Sequence, residues 1–419
     1  MEIASPVSGA PSNGLSFQLV ARTGHPDFLD FPWDQPLNEW GDSRLVDYEI
    51  GVSRHVVRFV AEGGRAYAVK ETSLDLAERE YRMLRALAEE GLNAVDAVGV
   101  VSSRLGRDGQ PLDAALITQH LAFSLPYRTL FTGRGVPDLR RRLIDALAVL
   151  LVRLHLDGFF WGDCSLSNAL FRRDAGALSA YLVDAETSER HPTLTDGQRL
   201  HDLVIATENA AGELLDLCSA SRLPSDVDPV QTAADLDQRY TDLWEELTRE
   251  EVVGEGERHC IEVRLRRLNE LGFDVDELEV NRTADGRELR VVARVLEEGH
   301  HARRLEALTG LAVQENQARR LLNDIAEYRA WLNVTEGHDV PDAVAAYRWL
   351  SEVYEPALAR VPAELRGKLH PAELFHEILE HRWYMAEERG EDVDTIEAVD
   401  DYVESELRHR TDEHTLLGP

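Results

Sequence analysis

The stretch that most limits what this chain can become lies near its middle. Leu143, Ile144, Leu147, Leu150, Leu151 and Leu154 recur at helical spacing and mark the buried face of a long helix that ends near Gly158. Directly after it the sequence reads Trp161-Gly162-Asp163-Cys164-Ser165-Leu166-Ser167-Asn168, then turns apolar at Ala169-Leu170-Phe171. An aspartate and an asparagine are thereby held between a helix end and a strand. The turn Arg172–Gly176 and the run Ser179–Val183 predict a hairpin whose second strand leads into Asp184. Polar side chains fixed between two apolar elements need partners or a ligand.

The chemistry such a loop can do follows from its residue types. Aligning a hydroxyl beside a nucleoside triphosphate takes one carboxylate near the attacking oxygen, with a carbonyl and a second carboxylate to hold hard magnesium ions through oxygen. Asp163, Asn168 and Asp184 supply those groups. Upstream, Leu45–Ile50, Val56–Val60 and Ala66–Lys70 read as strands, with Glu62-Gly63-Gly64 as a turn. Leu76, Ala77, Tyr81, Leu84, Leu87 and Ala88 then predict a helix closed by Gly91, and Ala114–Thr118 a further strand. Of the 45 basic residues only Lys70 and Lys368 are lysines. Where arginine serves every generic need, Lys70 looks selected for a compact ammonium. Glu80 shares a helix face with Leu76, Leu84 and Leu87 and is the expected partner of Lys70, with Glu78 as runner-up.

The Asp-x-x-x-x-Asn spacing of Asp163 and Asn168, the following Val183-Asp184, and Tyr67-Ala68-Val69-Lys70-Glu71 resemble the protein-kinase-like superfamily. The resemblance is to its small-substrate and atypical branches, such as the lipopolysaccharide-core sugar kinases, RIO kinases and aminoglycoside phosphotransferases. The resemblance implies an α+β, bilobal protein-kinase-like domain that uses ATP and Mg2+. It makes Asp163 the catalytic or orienting carboxylate and Asn168 and Asp184 the metal ligands. Lys70 would grip the phosphates with Glu80 fixing it. A phosphate-covering loop would fall at Ile50–His55, placing Gly51, Ser53 and Arg54 beside the nucleotide. That loop has one glycine where typical kinases have three, Trp161 stands where many have histidine, and Ala185-Glu186 replace Phe-Gly. Asp202 resembles the acid that braces the catalytic loop in compact kinases. Cys164 reads as a packed side chain, no base being assigned to it.

Other function classes are narrowed by charge and hydropathy. With 77 acids against 45 bases the formal charge is -32, which repels phosphate backbones and makes nucleic acid an unlikely partner. The unbroken apolar run Ala146–Val152 is far short of the roughly 20 residues of a membrane span. Met1–Gly14 lacks the features of a secretion signal, and Cys164, Cys218 and Cys260 have no disulfide or zinc spacing. A cytoplasmic protein without membrane insertion is expected.

Charge also suggests domain limits. Residues 216–257 carry 12 acids and 3 bases, and Ser219–Pro229 has little periodicity ahead of the more helical Leu236–Leu247. We expect a flexible tail over 1–15, a kinase-like domain over 16–218, an acidic linker over 219–257, and a mostly helical accessory domain with a short β-hairpin over 258–419. In the last of these, Cys260–Leu271 and Gln314–Leu332 read as helices, and Glu277–Asn281 with Leu289–Leu296 as a hairpin about Asp285-Gly286. Arginine-rich stretches at Arg264–Arg267, Arg303-Arg304 and Arg319-Arg320 lie in a nearly neutral island and either line one anion-binding face or are solvated and paired. The whole chain also resembles a family of actinobacterial proteins that joins such a kinase-like half to a C-terminal domain of unknown function. Three readings stay open: a phosphotransferase acting on a hydroxyl of an unidentified acceptor, a catalytically silent nucleotide-binding scaffold with a protein partner on its helical domain, and a nucleic-acid-associated kinase.

Overall fold

The computed structural model describes residues 17–41, 43–46, 48, 54–132, 139–249, 251–254, 277–282, 288–294, 299–410 and 412–413. The expected 1–15 tail, the helix Cys260–Leu271, the Arg264–Arg267 stretch and the Asp285-Gly286 turn lie outside them. Contacts divide the chain into two compact units, one built from the chain up to Ala86 with Val95–Leu121, the other from Leu87–Ala94 with Ala122–Leu417.

The first unit is a sheet of six antiparallel strands. In chain order these are β1 (Gln18–Ala21), β2 (Leu45–Val46), β3 (Val56–Glu62), β4 (Arg65–Thr72), β5 (Asp96–Ser102) and β6 (Ala114–Gln119), arranged β1-β5-β6-β4-β3-β2. Gly63 and Gly64 close the β3–β4 hairpin at φ +57° and +76°, the left-handed region that a tight hairpin turn requires. Strands β1 and β5 extend the sheet beyond the sequence expectation. A Cβ on Gly99 of β5 would sit 2.6 Å from the Val20 carbonyl oxygen of β1, so glycine there permits the strands to meet. Phe28, Phe31, Trp33, Trp40 and Tyr67 cover one sheet face. Helix α1 (Leu74–Glu89) follows β4 and buries Ala77, Leu84 and Leu87.

The second unit opens with β7 (Leu125–Pro126), α2 (Tyr127–Thr132) and the long α3 (Leu139–Leu156). Then come β8 (Phe159–Phe160), the hairpin β9 (Ala169–Asp174) and β10 (Ala177–Leu182), and β11 (Glu189–Arg190). Strand β8 pairs with β11, and β7 with β9. Helix α4 (Asp196–Ser219) starts at a capping box in which Thr195 and Gln198 exchange hydrogen bonds. Within the segment expected as an acidic linker, Pro229–Thr248 forms helix α5. Asp228 caps it, and Ala233, Leu236, Tyr240, Leu243 and Leu247 are buried against α3 and α4. Asp235, Asp237, Asp242 and Glu245 lie on the opposite, solvated face while Glu246 is buried, and this crowd of exposed acids is why composition alone hides an amphipathic helix there.

Strands β12 (Glu251–Gly254), β13 (Glu277–Arg282) and β14 (Glu288–Arg294) form a three-stranded antiparallel sheet in the order β12-β14-β13. The β13–β14 pairing matches the expected hairpin, and β12 adds a strand to it. The rest is helical: α6 (His300–Thr309), α7 (Glu315–Glu336), α8 (Asp342–Trp349), α9 (Glu355–Arg360), α10 (Pro371–Arg389) and α11 (Thr395–Ser405). A π-helical turn, Leu350–Tyr354, joins α8 to α9. Pro356 cannot donate to the carbonyl four residues earlier, and widening the preceding turn accommodates that loss. Trp349, Tyr354 and Phe375 form the aromatic centre of this helical core. Among the described residues no helix is long and apolar enough to cross a membrane.

Candidate active site

In the first unit, Lys70 sits on β4 between Val57 of β3 and Leu116 of β6. Its ammonium lies 3.0 Å from Glu80 Oε2, and both residues are buried. Glu80 reaches it because α1 turns Ala77, Glu80 and Leu84 onto one face. Glu78 is exposed on the other face. A buried charge of either sign alone would be costly, so each fixes the other. The neighbouring Glu71 points the opposite way along the strand. It accepts from Arg104 Nη1 at 2.7 Å and from the Leu37 amide at 3.3 Å. Arg104, fully buried, also donates to the Trp33 and Asp113 carbonyls at 3.1 and 2.8 Å. The strand that bears Lys70 is thus tied on its other face to the N-terminal segment. Gly51 and Ser53 lie outside the described residues, and Arg54 is exposed just ahead of β3.

The second unit brings Asp163, Asn168 and Asp184 together. Asn168 Nδ2 donates to the Asp163 carbonyl oxygen at 2.9 Å and to its Oδ2 at 3.3 Å. The Val183 amide donates to the Asn168 carbonyl at 3.0 Å, and Trp161 Nε1 donates to the Asp184 carbonyl at 3.1 Å. Trp161, fully buried, therefore does more than fill space: it pins the end of β10 to the loop. With its amide nitrogen used on Asp163, Asn168 presents its Oδ1 as the group for a hard cation. The carboxylates of Asp184 and Glu186 approach within 4.8 Å of each other, and Asp184 Oδ1 accepts the Glu186 amide at 3.0 Å. This all-oxygen donor set fits magnesium and suits softer metals poorly.

Beneath the loop lies a buried polar chain. Asp202 accepts from the Trp161 and Gly162 amides at 2.7 and 2.9 Å, and His155 Nε2 lies 3.0 Å from it. His155 Nδ1 is 2.6 Å from the Tyr240 hydroxyl on α5. Burial pushes the His155 pKa down while Asp202 pulls the other way. A neutral ring with Nε2–H facing Asp202 and Nδ1 accepting from Tyr240 satisfies every partner. Burial holds the Tyr240 hydroxyl protonated, its pKa far above the ordinary value. Gly162, at φ +79°, has the Thr187 carbonyl 3.0 Å from where a Cβ would stand. Burial also pushes the Cys164 thiol well up, which makes it unreactive packing.

Two residues of α4 escape the sequence reading. Asn209 Nδ2 donates to Asp163 Oδ1 at 3.2 Å and to the Cys164 carbonyl at 3.0 Å. Glu213 accepts the Leu166 and Ser167 amides at 2.8 and 3.1 Å, and burial pushes its pKa up. They sit one helical turn apart beside the buried Ala206, Ala210, Leu214 and Leu217. That polar pair edging an apolar stripe was the available signal.

Part of the chain is similar to a known kinase family. Residues 65–206 match the model of the Lipopolysaccharide kinase (Kdo/WaaP) family. Residues 242–407 match a domain of unknown function, DUF4032. Among solved structures, WaaP in complex with acyl carrier protein is 18% identical, with a TM-score of 0.37 over 61% of this chain and 99% of that one. An aminoglycoside-3'-phosphotransferase of type VIII is 18% identical, with a TM-score of 0.33 over 54% of this chain and 93% of that one. No curated protein matches the chain.

Proposed function

We propose that this chain is an ATP- and Mg2+-dependent phosphotransferase acting on a hydroxyl group of a separate acceptor. The observation that carries it is the double clamp on Asp163, whose carboxylate takes Asn168 on one oxygen and Asn209 on the other. A carboxylate fixed in this way is positioned to align an acceptor hydroxyl and receive its proton. Asn168 Oδ1 and the Asp184 carboxylate would hold magnesium, with Glu186 close enough to add a further oxygen. Bound magnesium neutralises charge on the phosphates. Lys70, held by Glu80, would grip nucleotide phosphates. Arg54, with Gly51 and Ser53, belongs to the segment assigned to cover them. Most of the rate enhancement would come from positioning and charge stabilisation. Use of ATP suits a cytoplasmic setting.

The test is nucleotide binding by thermal shift with ATP and magnesium, followed by ATP consumption in the presence of hydroxyl acceptors. Asp163→Ala is expected to keep nucleotide binding and lose transfer, and Asp184→Ala to weaken magnesium-dependent binding. Equal turnover in both variants and the parent protein would overturn the assignment. Nucleotide binding with no turnover for any acceptor would favour a silent scaffold.

A further inference from the structure

The arginine island keeps part of its sequence on a cleft of the second unit that the proposed phosphotransfer leaves unused. We propose that this cleft, walled by α3, α5, the β9–β10 hairpin and the first turns of α7, binds a small phosphorylated molecule. It has a volume of 420 Å³, within the range of about 300–1,000 Å³ typical of small-ligand sites. Arg142 and Arg153 reach it from α3, Arg239 from α5, and Arg319 and Arg320 from α7. None of Asp163, Asn168 and Asp184 lines it.

The charge balance here runs against that of the chain. Whereas the protein as a whole has 77 acids to 45 bases, five arginines face this cleft with Asp145, Asp174 and Glu315 as its acids. Those acids are engaged elsewhere or already matched. Glu315 accepts the His301 and Ala302 amides at 2.8 and 3.1 Å. Asp174 accepts the Gln317 amide at 2.8 Å and the Ser179 hydroxyl at 2.9 Å. Asp145 lies 2.9 Å from Arg239 Nε. Among the described residues, Arg142 and Arg320 have no carboxylate partner. Guanidinium groups brought from separate helices to one void repel each other, and a bound anion relieves that repulsion.

Phosphate suits the cleft better than carboxylate, because its charge approaches minus two and its oxygens match guanidinium forks in pairs. Val149, Leu150 and Val313 add apolar wall for the body of the ligand. A long polyanion is disfavoured by the net charge of -32.

Phenyl phosphate, titrated calorimetrically into the full chain, is the probe. Binding is expected in the parent protein and equally in Asp184→Ala, which separates this cleft from the nucleotide site. Arg142→Gln/Arg320→Gln should bind at least about tenfold more weakly while keeping magnesium-dependent ATP binding. The Arg142→Lys/Arg320→Lys variant, which retains charge without the planar fork, should fall between them and guards against misfolding of the glutamine pair. Undiminished binding in the glutamine variant overturns the proposal. So does loss of binding in Asp184→Ala, or no heat from the parent protein at about 10 mM probe. An RNA oligonucleotide that displaces the probe would overturn the small-molecule assignment.

Discussion

Asn209 is the side chain through which α4 acts on Asp163. Its amide bridges Asp163 Oδ1 and the Cys164 carbonyl, so Asn209→Ala removes that hold on the carboxylate without emptying the core. Phosphoryl transfer is expected to fall about 10- to 100-fold, as for other groups that orient a functional ligand from behind. ATP affinity by thermal shift should be unchanged, and a matching loss of affinity would show that Asn209 acts through the fold. Lysine scarcity and the strand-end motif Tyr67–Glu71 together draw attention to Lys70 in the sequence, and the scarcity applies equally to Lys368. Lys368 Nζ donates to the Leu407, Arg408 and Arg410 carbonyls at 3.1, 2.9 and 2.6 Å. Three carbonyls converging on one point match an ammonium and mismatch a planar guanidinium. Lys368→Arg should therefore lose about 1–2 kcal/mol in urea unfolding with turnover unaltered. Spacing made Asp163, Asn168 and Asp184 legible. Asn209, Glu213 and Tyr240 were not, because their bonds cross from helices distant in sequence.

At the scale of elements, the β9–β10 hairpin and α7 share a cap. Asp174 accepts the Gln317 amide at 2.8 Å and the Asn316 amide at 3.3 Å, filling donors at the helix N-terminus that its own N-cap residue, Gln314, does not fill alone. Burial pushes the Asp174 pKa from 3.8 up to about 6, against the pull of those bonds. The native state then holds a proton that the unfolded chain has released between these values. Stability contributed through this group accordingly falls as pH rises from 3.8 towards 6 and levels off above that. His370, pushed down to about 4 chiefly by burial with Arg172 adding to it, opposes this trend, because its contribution falls as pH drops below the ordinary histidine range. Asp174→Asn isolates the first effect. Its amide cannot accept from Gln317 and Asn316 on both termini, so it should be about 1–3 kcal/mol less stable at neutral pH. The gap to the parent protein should widen towards pH 4 in urea titrations, and a constant gap would refute the linkage. Sequence periodicity found α1, α3, α7 and the paired strands β13 and β14. It missed β5 because Asp96–Ser102 is buried almost throughout and shows no alternation. It undervalued α5 because acids crowd the solvated face of that helix.

For the molecule as a whole, the question is how far folding is shared between the kinase-like region and the helical region. Glu373 of α10 gives a way to ask it. Its Oε2 accepts the Ala175 amide and Gln317 Nε2, each at 2.8 Å, and it is almost fully buried. Ala175 adopts φ +50°, a conformation costing about 1 kcal/mol or more for a residue with a Cβ, and Glu373 meets the amide so exposed. Arg173 adds a 2.6 Å bond to Glu413. These contacts lie inside the unit that runs from Ala122 to Leu417, so the helical region is packed as part of the same body as the loop that carries Asp163 and Asn168. Glu373→Ala leaves the Ala175 amide without its acceptor and Gln317 Nε2 with the Arg173 carbonyl alone and should cost about 1–3 kcal/mol, whereas Glu373→Gln keeps an accepting oxygen and should cost less. Hydrogen exchange is expected to accelerate together in Leu139–Leu156 and Pro371–Arg389 of the alanine variant, while Arg65–Thr72 and Ala114–Gln119 keep their protection. Acceleration confined to Pro371–Arg389 would mean that the helical region opens on its own, and that the Asp163–Asn168 loop does not depend on it for stability.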